Sequence, residues 1–201
     1  MEAEPMPSIR TDLLPYVERL DRRDPAAVER IVIHATELPD RTTAREYGER
    51  IHYASSRTGN SGHFYIDRDG TVERWVPIDR IAHHVAGHNA ATIGIELIHI
   101  GRYPDWLDSR SQAWDTAYPD AQIEALIALI RALRAELPGL RDLAGHDQLD
   151  RRREPASDDE GRTVRRKLDP GPTFPWDRVV DGGGLPRLAE PPATADDADT
   201  Q

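Results

Sequence analysis

Cysteine is absent from the 201-residue chain, so no disulfide staples the fold and no thiolate holds a metal. That absence neither requires nor excludes an oxidising compartment. No stretch approaches the roughly 18 consecutive apolar residues of a membrane span, which excludes a spanning helix. The amino terminus, Met1-Glu2-Ala3-Glu4-Pro5-Met6-Pro7, has neither a basic start nor an apolar run, so no secretory signal is legible and the cytoplasm is the expected location. Positive charge is in deficit as well. With 26 Lys and Arg against 36 Asp and Glu the net charge is −10 and the pI near 5.2, which argues against a nucleic-acid partner. There is no internal repeat.

What is present describes one globular domain. Apolar residues make up 38% and charged residues 31% of a chain long enough for one real core and short for two. Residues 1–25, rich in proline and charge, read as an extended lead-in, residues 26–180 as the domain, and residues 181–201, which open on Gly182-Gly183-Gly184, as a disordered tail. The β-branched run Ile31-Val32-Ile33 suits a strand buried on both faces. Asp40 offers an N-cap for a helix running to about Arg57. Phe64-Tyr65-Ile66, Asp67-Arg68-Asp69-Gly70 and Thr71-Val72-Glu73-Arg74-Trp75-Val76 form a hairpin with an Asp-Gly turn. In the strand predicted over Thr92 to His99, Ile93, Ile95 and Leu97 share one face, so Glu96 faces something other than the aliphatic core. The apolar stripe Ile123, Leu126, Ile127, Ile130, Leu133 and Leu137 predicts a helix packed on the sheet and stopped by Pro138-Gly139. No further apolar stripe is left over, so a monomer is expected.

Eight histidines are available: His34, His52, His63, His83, His84, His88, His99 and His146. His34 stands out because it closes an apolar strand, where a polar side chain must find a partner or a metal. Two histidines and one carboxylate suffice for a catalytic zinc, which takes three protein ligands and leaves one position open. His146, in Gly145-His146-Asp147, is the second candidate. For the third, Asp147, Asp150 and Asp169 compete, and spacing does not choose among them. Lys167 and Asp169, two residues apart in a proline-flanked extended segment, should project to one side, with Arg166 on the other.

Read in order, Ile31-Val32-Ile33-His34, His63-Phe64-Tyr65-Ile66 with Asp69-Gly70-Thr71-Val72, His84 before Asn89-Ala90-Ala91-Thr92-Ile93-Gly94-Ile95-Glu96-Leu97, Gly145-His146-Asp147, and Lys167-Leu168-Asp169-Pro170-Gly171-Pro172 with Phe174-Pro175-Trp176 resemble the zinc-dependent N-acetylmuramoyl-L-alanine amidases of the type 2 family, which includes AmpD and the peptidoglycan recognition proteins. Each motif alone is weak, and five in one order from about Arg30 to Trp176 are specific.

The resemblance implies an α/β fold, a central mixed sheet with helices packed against it, and one zinc ion at an edge of the sheet held by His34, His146 and Asp169. It implies hydrolysis of the amide between the lactyl group of N-acetylmuramic acid and L-alanine, in peptidoglycan fragments or polymeric peptidoglycan, with zinc-bound water as the nucleophile. Glu96 matches the family's proton acceptor and donor, and Lys167 the residue that stabilises charge developing on the carbonyl oxygen. His84, with His63 and Asn89, is placed beside the substrate. The chain departs from the pattern at Ala82-His83-His84-Val85-Ala86-Gly87, where either histidine is the counterpart. It departs again at Gly62, where some relatives keep a tyrosine. The charged insert Leu149 to Val164 is expected to form one wall of the groove, with Arg151, Arg152 and Arg153 available to stem-peptide carboxylates. The rival of another class is a non-catalytic peptidoglycan-binding module, which typically lacks a zinc ligand.

Overall fold

The computed structural model describes residues 8–189. Its centre is β2 (Arg30–Ala35), in which every residue from Ile31 to Ala35 is buried. A strand with neighbours on both edges and cover on both faces needs this continuous apolar run. β2 pairs in parallel with β5 (Thr92–Leu97) on one side and β6 (Asp142–Gly145) on the other. β5 pairs in parallel with β3 (Phe64–Ile66), which forms the expected antiparallel hairpin with β4 (Val72–Arg74), and β1 (Ile9–Thr11) closes the far edge parallel to β4. The order is β1-β4-β3-β5-β2-β6, a mixed sheet in a single α/β domain.

Alternation along the strands divides the interior in two. Ile31, Ile33 and Ala35 of β2 and Ile93, Ile95 and Leu97 of β5 join α2 (Asp120–Glu136) and α4 (Trp176–Gly183) in one core, where Ile123, Leu126, Ile127, Ile130 and Leu133 supply the helical stripe. Gln122 of α2 is buried with them, and its amide donates to the Ile66 and Ile98 carbonyls at the sheet's end. The opposite face carries a smaller core of Tyr65, Trp75, Val76 and Ile98 with Ala44 of α1 (Arg41–Glu49). A four-residue helix, α3 (His146–Leu149), follows β6, and the expected insert forms a separate hairpin of β7 (Arg153–Pro155) and β8 (Thr163–Arg165).

Three boundaries differ from expectation. The lead-in is part of the fold from Ile9 onward: Leu14, Tyr16, Val17 and Leu20 are buried in the smaller core, and the Tyr16 hydroxyl donates to the Gly48 carbonyl at 2.6 Å. Helix α1 stops at Glu49, eight residues before Arg57, because the residues beyond it bring no apolar face to bury; Ile51 and Tyr53 are exposed. That stretch instead turns back so that His52 and Tyr53 both donate from the backbone to the Thr58 carbonyl. The expected tail holds on to the open edge of β6 as far as Ala189, with Leu185 buried and the Leu188 N–H donating to the Leu143 carbonyl at 2.7 Å, because a sheet edge offers unpaired backbone groups. The remainder of that predicted tail, 190–201, lies outside the described residues.

The burial of Leu14, at 1% exposed, fixes an expected outcome. Leu14→Ala should lower unfolding free energy in urea by about 2–5 kcal/mol, as for a core leucine. A loss within about 0.5 kcal/mol, the range of a surface substitution, would return the segment to a mere lead-in.

Candidate active site

Strand register builds most of the site. His34 lies directly beside Glu96 in the β2–β5 pair, and Gly145, the last residue of β6, lies beside Ile33. His146 therefore emerges next to His34. Asp169 arrives from the segment after β8, where the Asp147 N–H donates to the Asp169 carbonyl at 3.0 Å. The Nδ1 atoms of His34 and His146 lie 3.0 Å apart, and each is 3.1 Å from Oδ2 of Asp169. All three side chains are buried, at 2%, 5% and 2% exposed.

This triangle fits a metal ion. Ligand atoms on one face of a tetrahedron with bonds of 2.0–2.1 Å stand about 3.3 Å apart, close to the separations seen here. A cation between two imidazole nitrogens 3.0 Å apart lets both turn lone pairs toward it. Oδ1 of Asp169 is buried without a hydrogen-bond partner. Among the described residues, this is the one group of three or more histidine and acidic side chains whose atoms converge for a metal. Asp150 is used elsewhere, held by Arg152 at 2.7 Å and Arg166 at 2.6 Å.

The electrostatics follow from burial. Desolvation, with His146 beside it, pushes the His34 imidazole down to about 4, and desolvation with the neighbouring His34, His63, His146 and Arg23 holds His84 well below its ordinary value. Burial opposes ionisation of Asp169, yet the neighbouring imidazoles of His146 and His34 and the Lys167 side chain outweigh it, so that carboxyl stays well below the usual carboxylate range. Glu96 goes the other way: desolvation first, then the nearby Asp169, push it up to about 8 against the counter-pull of Lys167. Room for its side chain comes from Gly62, where a Cβ would lie 2.7 Å from Cγ of Glu96.

His34, His146, Asp169, Glu96 and Lys167 line one cavity of about 340 Å³, with His52, Tyr53, His83, His84 and Asn89 on other walls. A second cavity of about 340 Å³ adjoins it, lined by Trp106 and Arg102 and sharing Tyr47, Arg166 and Lys167 with the first. Of the three arginines expected on the insert's wall, Arg152 lines the cavity, whereas Arg153 is bonded to Thr163. Arg166, expected to face away from Lys167, lines both cavities with it, because β8 ends at Arg165 and the chain bends there, ending the alternation.

Of the three residues placed beside the substrate by the sequence, His84 and Asn89 line the cavity and His63 stands behind it. His63 is 0% exposed and does not line the cavity; its ring is enclosed by the Gly94 N–H, the Arg80 carbonyl and Arg23. This corrects its expected role, since a fully enclosed ring cannot reach substrate. His84 lines the cavity, but both its nitrogens are engaged, Nδ1 with His34 and Nε2 with Thr92. Asn89 accepts from the backbone N–H groups of His84 and Val85 at 3.0 and 2.8 Å and so fixes that short loop.

Sequence reasoning missed Arg102. Its guanidinium forms a fork with the buried Glu37 carboxylate at 2.6 and 2.7 Å and donates onward to the carbonyls of Arg165 and Arg166. It thereby anchors the backbone that delivers Lys167. The one available signal was a paired polar character that only the fold brings together, across 65 residues.

A mixed sheet that brings two histidines and a glutamate to the ends of its parallel strands, met there by an aspartate from the segment after β8, defines a protein with a hydrolase-type site that could hold a metal. The chain belongs to the type 2 N-acetylmuramoyl-L-alanine amidase family, whose model matches residues 24–172. It is 34% identical over 128 residues to the 1,6-anhydro-N-acetylmuramyl-L-alanine amidase AmpD of Salmonella typhimurium, covering 59% of this chain and 54% of that protein. It is 32% identical over 85 residues to an endolysin of Klebsiella phage KP32, covering 42% and 52%. The chain thus spans about half the length of the curated relatives it matches. Among solved structures, the N-acetylmuramoyl-L-alanine amidase LysC from Clostridium intestinale superposes with a TM-score of 0.63 at 23% identity over 89% of this chain and 99% of that one. The E. coli amidase AmiD, solved with the substrate anhydro-N-acetylmuramic acid-L-Ala-D-gamma-Glu-L-Lys, superposes with a TM-score of 0.60 at 22% identity over 80% and 58%. At these identities the structural likeness shows the shared fold.

Two outcomes follow from the site. With its carboxyl raised from 4.5 to about 8, Glu96 is ionised in the unfolded chain over a pH range in which it is protonated in the folded one. Its contribution to stability is therefore full below pH 4.5 and lost as pH rises to about 8, at most about 1.4 kcal/mol per pH unit. Glu96→Gln removes that loss, so after chelation the variant should gain in unfolding temperature over the unchanged protein as pH rises across this window; a gain independent of pH contradicts the assignment. Arg102→Ala should cost about 3–5 kcal/mol in urea unfolding, because it strands the buried Glu37 charge. Equal stability would show that the pair anchors nothing.

Proposed function

We propose that the protein is a zinc amidase that hydrolyses the bond between the lactyl group of N-acetylmuramic acid and L-alanine in peptidoglycan or its muropeptide fragments. The observation that carries this reading is the convergence of Nδ1 of His34, Nδ1 of His146 and Oδ2 of Asp169 in a cavity that Glu96 and Lys167 also line. When bound, zinc supplies Lewis-acid chemistry, polarising the scissile carbonyl and lowering the pKa of a water toward neutrality.

The chain's own side chains do the rest. Glu96 takes a proton from the attacking water at its carboxylate and returns it to the leaving amine of L-alanine. A carboxyl raised toward neutrality is matched to holding that proton between the two steps. Lys167, the cation facing the site, stabilises the negative charge developing on the carbonyl oxygen, an interaction that strengthens in the transition state. Arg152 and Arg166 on the rim suit the free carboxylates of a stem peptide. No described helix is long and apolar enough to cross a membrane. A binding module without catalysis is not favoured, because it would have no use for a glutamate and a lysine beside a complete ligand set.

The test is release of peptide from an anhydro-muropeptide and from polymeric peptidoglycan, followed by mass of the products. Cleavage between muramic acid and L-alanine should occur with zinc and vanish on chelation and in Asp169→Ala. Zinc binding without cleavage of either substrate would instead establish the binding module.

A further inference from the structure

We propose that Thr92 is a positioning residue which, acting through His84, fixes the proton of His34 on Nε2 and so keeps its Nδ1 bare for a metal. The proposal rests on the reading of His34, His146 and Asp169 as ligands and adds to it two residues that stand behind His34.

The geometry is a chain of hydrogen bonds leading away from the site. Nε2 of His34 lies 2.9 Å from Nδ1 of His84, Nε2 of His84 lies 3.1 Å from the Thr92 hydroxyl, and that hydroxyl donates to the His88 carbonyl at 3.0 Å. A neutral imidazole has one N–H and one bare nitrogen, and a hydroxyl has one proton to give. The chain therefore has two polarities. In the first, Thr92 gives its proton to the His88 carbonyl and accepts from Nε2–H of His84. The bare Nδ1 of His84 then accepts from Nε2–H of His34, and the lone pair on Nδ1 of His34 points at His146 and Asp169. In the second, the hydroxyl must turn from the His88 carbonyl to His84, and the proton on His34 moves to Nδ1, into the middle of the ligand triangle. The first polarity alone is compatible with a metal on that nitrogen.

Local structure is arranged around the chain. Thr92, Gly94 and Glu96 occupy alternate positions of β5 and share one face. Thr92 is 2% exposed, and a Cβ on Gly94 would lie 2.7 Å from the His84 ring, so the glycine admits the imidazole. Asn89 accepts from the backbone N–H groups of His84 and Val85 and so holds that backbone in place. One strand face thus carries the terminus of the chain, the room for its middle link and the acid that lines the cavity. Partners behind a ligating histidine fix its tautomer and orientation, and their loss commonly weakens metal binding by about 10–100-fold.

The experiment compares zinc affinity, by competition with a chromogenic chelator, for the unchanged protein, Thr92→Val and Thr92→Ser. Valine keeps the shape and the strand preference and removes the hydroxyl; serine restores it. Thr92→Val should bind zinc about tenfold or more weakly, with Thr92→Ser close to the unchanged protein. In the zinc-free unchanged protein, nitrogen NMR of labelled histidine should show His84 and His34 each protonated at Nε2, a signature that neither packing alone nor a bound metal sets. Equal affinity of Thr92→Val, or a proton on Nδ1 of His84, overturns the proposal even if the variant folds poorly, since the second readout needs no variant. An unchanged protein that binds no zinc overturns the ligand assignment itself, a result distinct from either.

Discussion

The in-register parallel pairing of β5, β2 and β6 is the constraint on which the site depends. Neighbouring strands stand about 4.8 Å apart, and residues opposite each other in register share a face. With Glu96 beside His34, and His146 one residue beyond the partner of Ile33, three adjacent strands deliver one row of polar side chains. A slip of one residue in β2 would send His34 into the core under α2 and bring Ile33 to the cavity. The apolar set Ile31, Ile33, Ile93 and Ile95, fully buried on the other face, forbids that slip. The aliphatic core thus sets the catalytic geometry as well as the stability.

The row is expensive to maintain. Glu96 is held in surroundings that disfavour its charge, His34 in surroundings that disfavour its protonation, and Asp169 is kept ionised only by its imidazole neighbours and Lys167. A fold selected for stability alone would fill these positions with apolar side chains. The pattern of opposite shifts, one carboxyl up and one down within a single cavity, is how two acids acquire different tasks at one pH. Asp169 stays an anion suited to a cation, and Glu96 stays able to carry a proton.

Much of this was legible in the sequence, and the rest was not for physical reasons. The apolar run ending on His34, the alternation that isolates Glu96 and the stripe of α2 are local patterns, and the structure keeps them. Spacing left the third carboxylate open between Asp147, Asp150 and Asp169, and the family resemblance alone pointed to Asp169, because the choice depends on the turn that follows β8 and on Arg152 and Arg166 occupying Asp150, contacts made between side chains that no periodicity orders. Leu14 and Tyr16 belong to a short apolar stretch, Leu13-Leu14-Pro15-Tyr16-Val17, that proline interrupts, so their burial against Trp75 and α1 left no sustained periodic trace. The role of His63 was misplaced because a motif reports that a histidine is needed without saying whether it faces the cavity or the strand behind it.

The two halves of the site are supported by different physics. Glu96, His34 and His146 are carried by the sheet or by the residue directly after it, and backbone ladders hold them. Lys167 and Asp169 come from a segment with no partner in the six-stranded sheet. Single hydrogen bonds hold that segment instead: Arg102 to the carbonyls of Arg165 and Arg166, Arg165 to the Asp147 carbonyl at 2.6 Å, and the Asp147 N–H to the Asp169 carbonyl. Such a segment opens at lower free energy than a central strand. Asp169, the carboxylate it carries, is also a buried charge that needs compensation, so a metal on the triangle would tie the weakly held half to the rigid one. A metal held there would couple its binding to the local order of the 165–170 segment, which the buried Arg102–Glu37 pair already anchors without it.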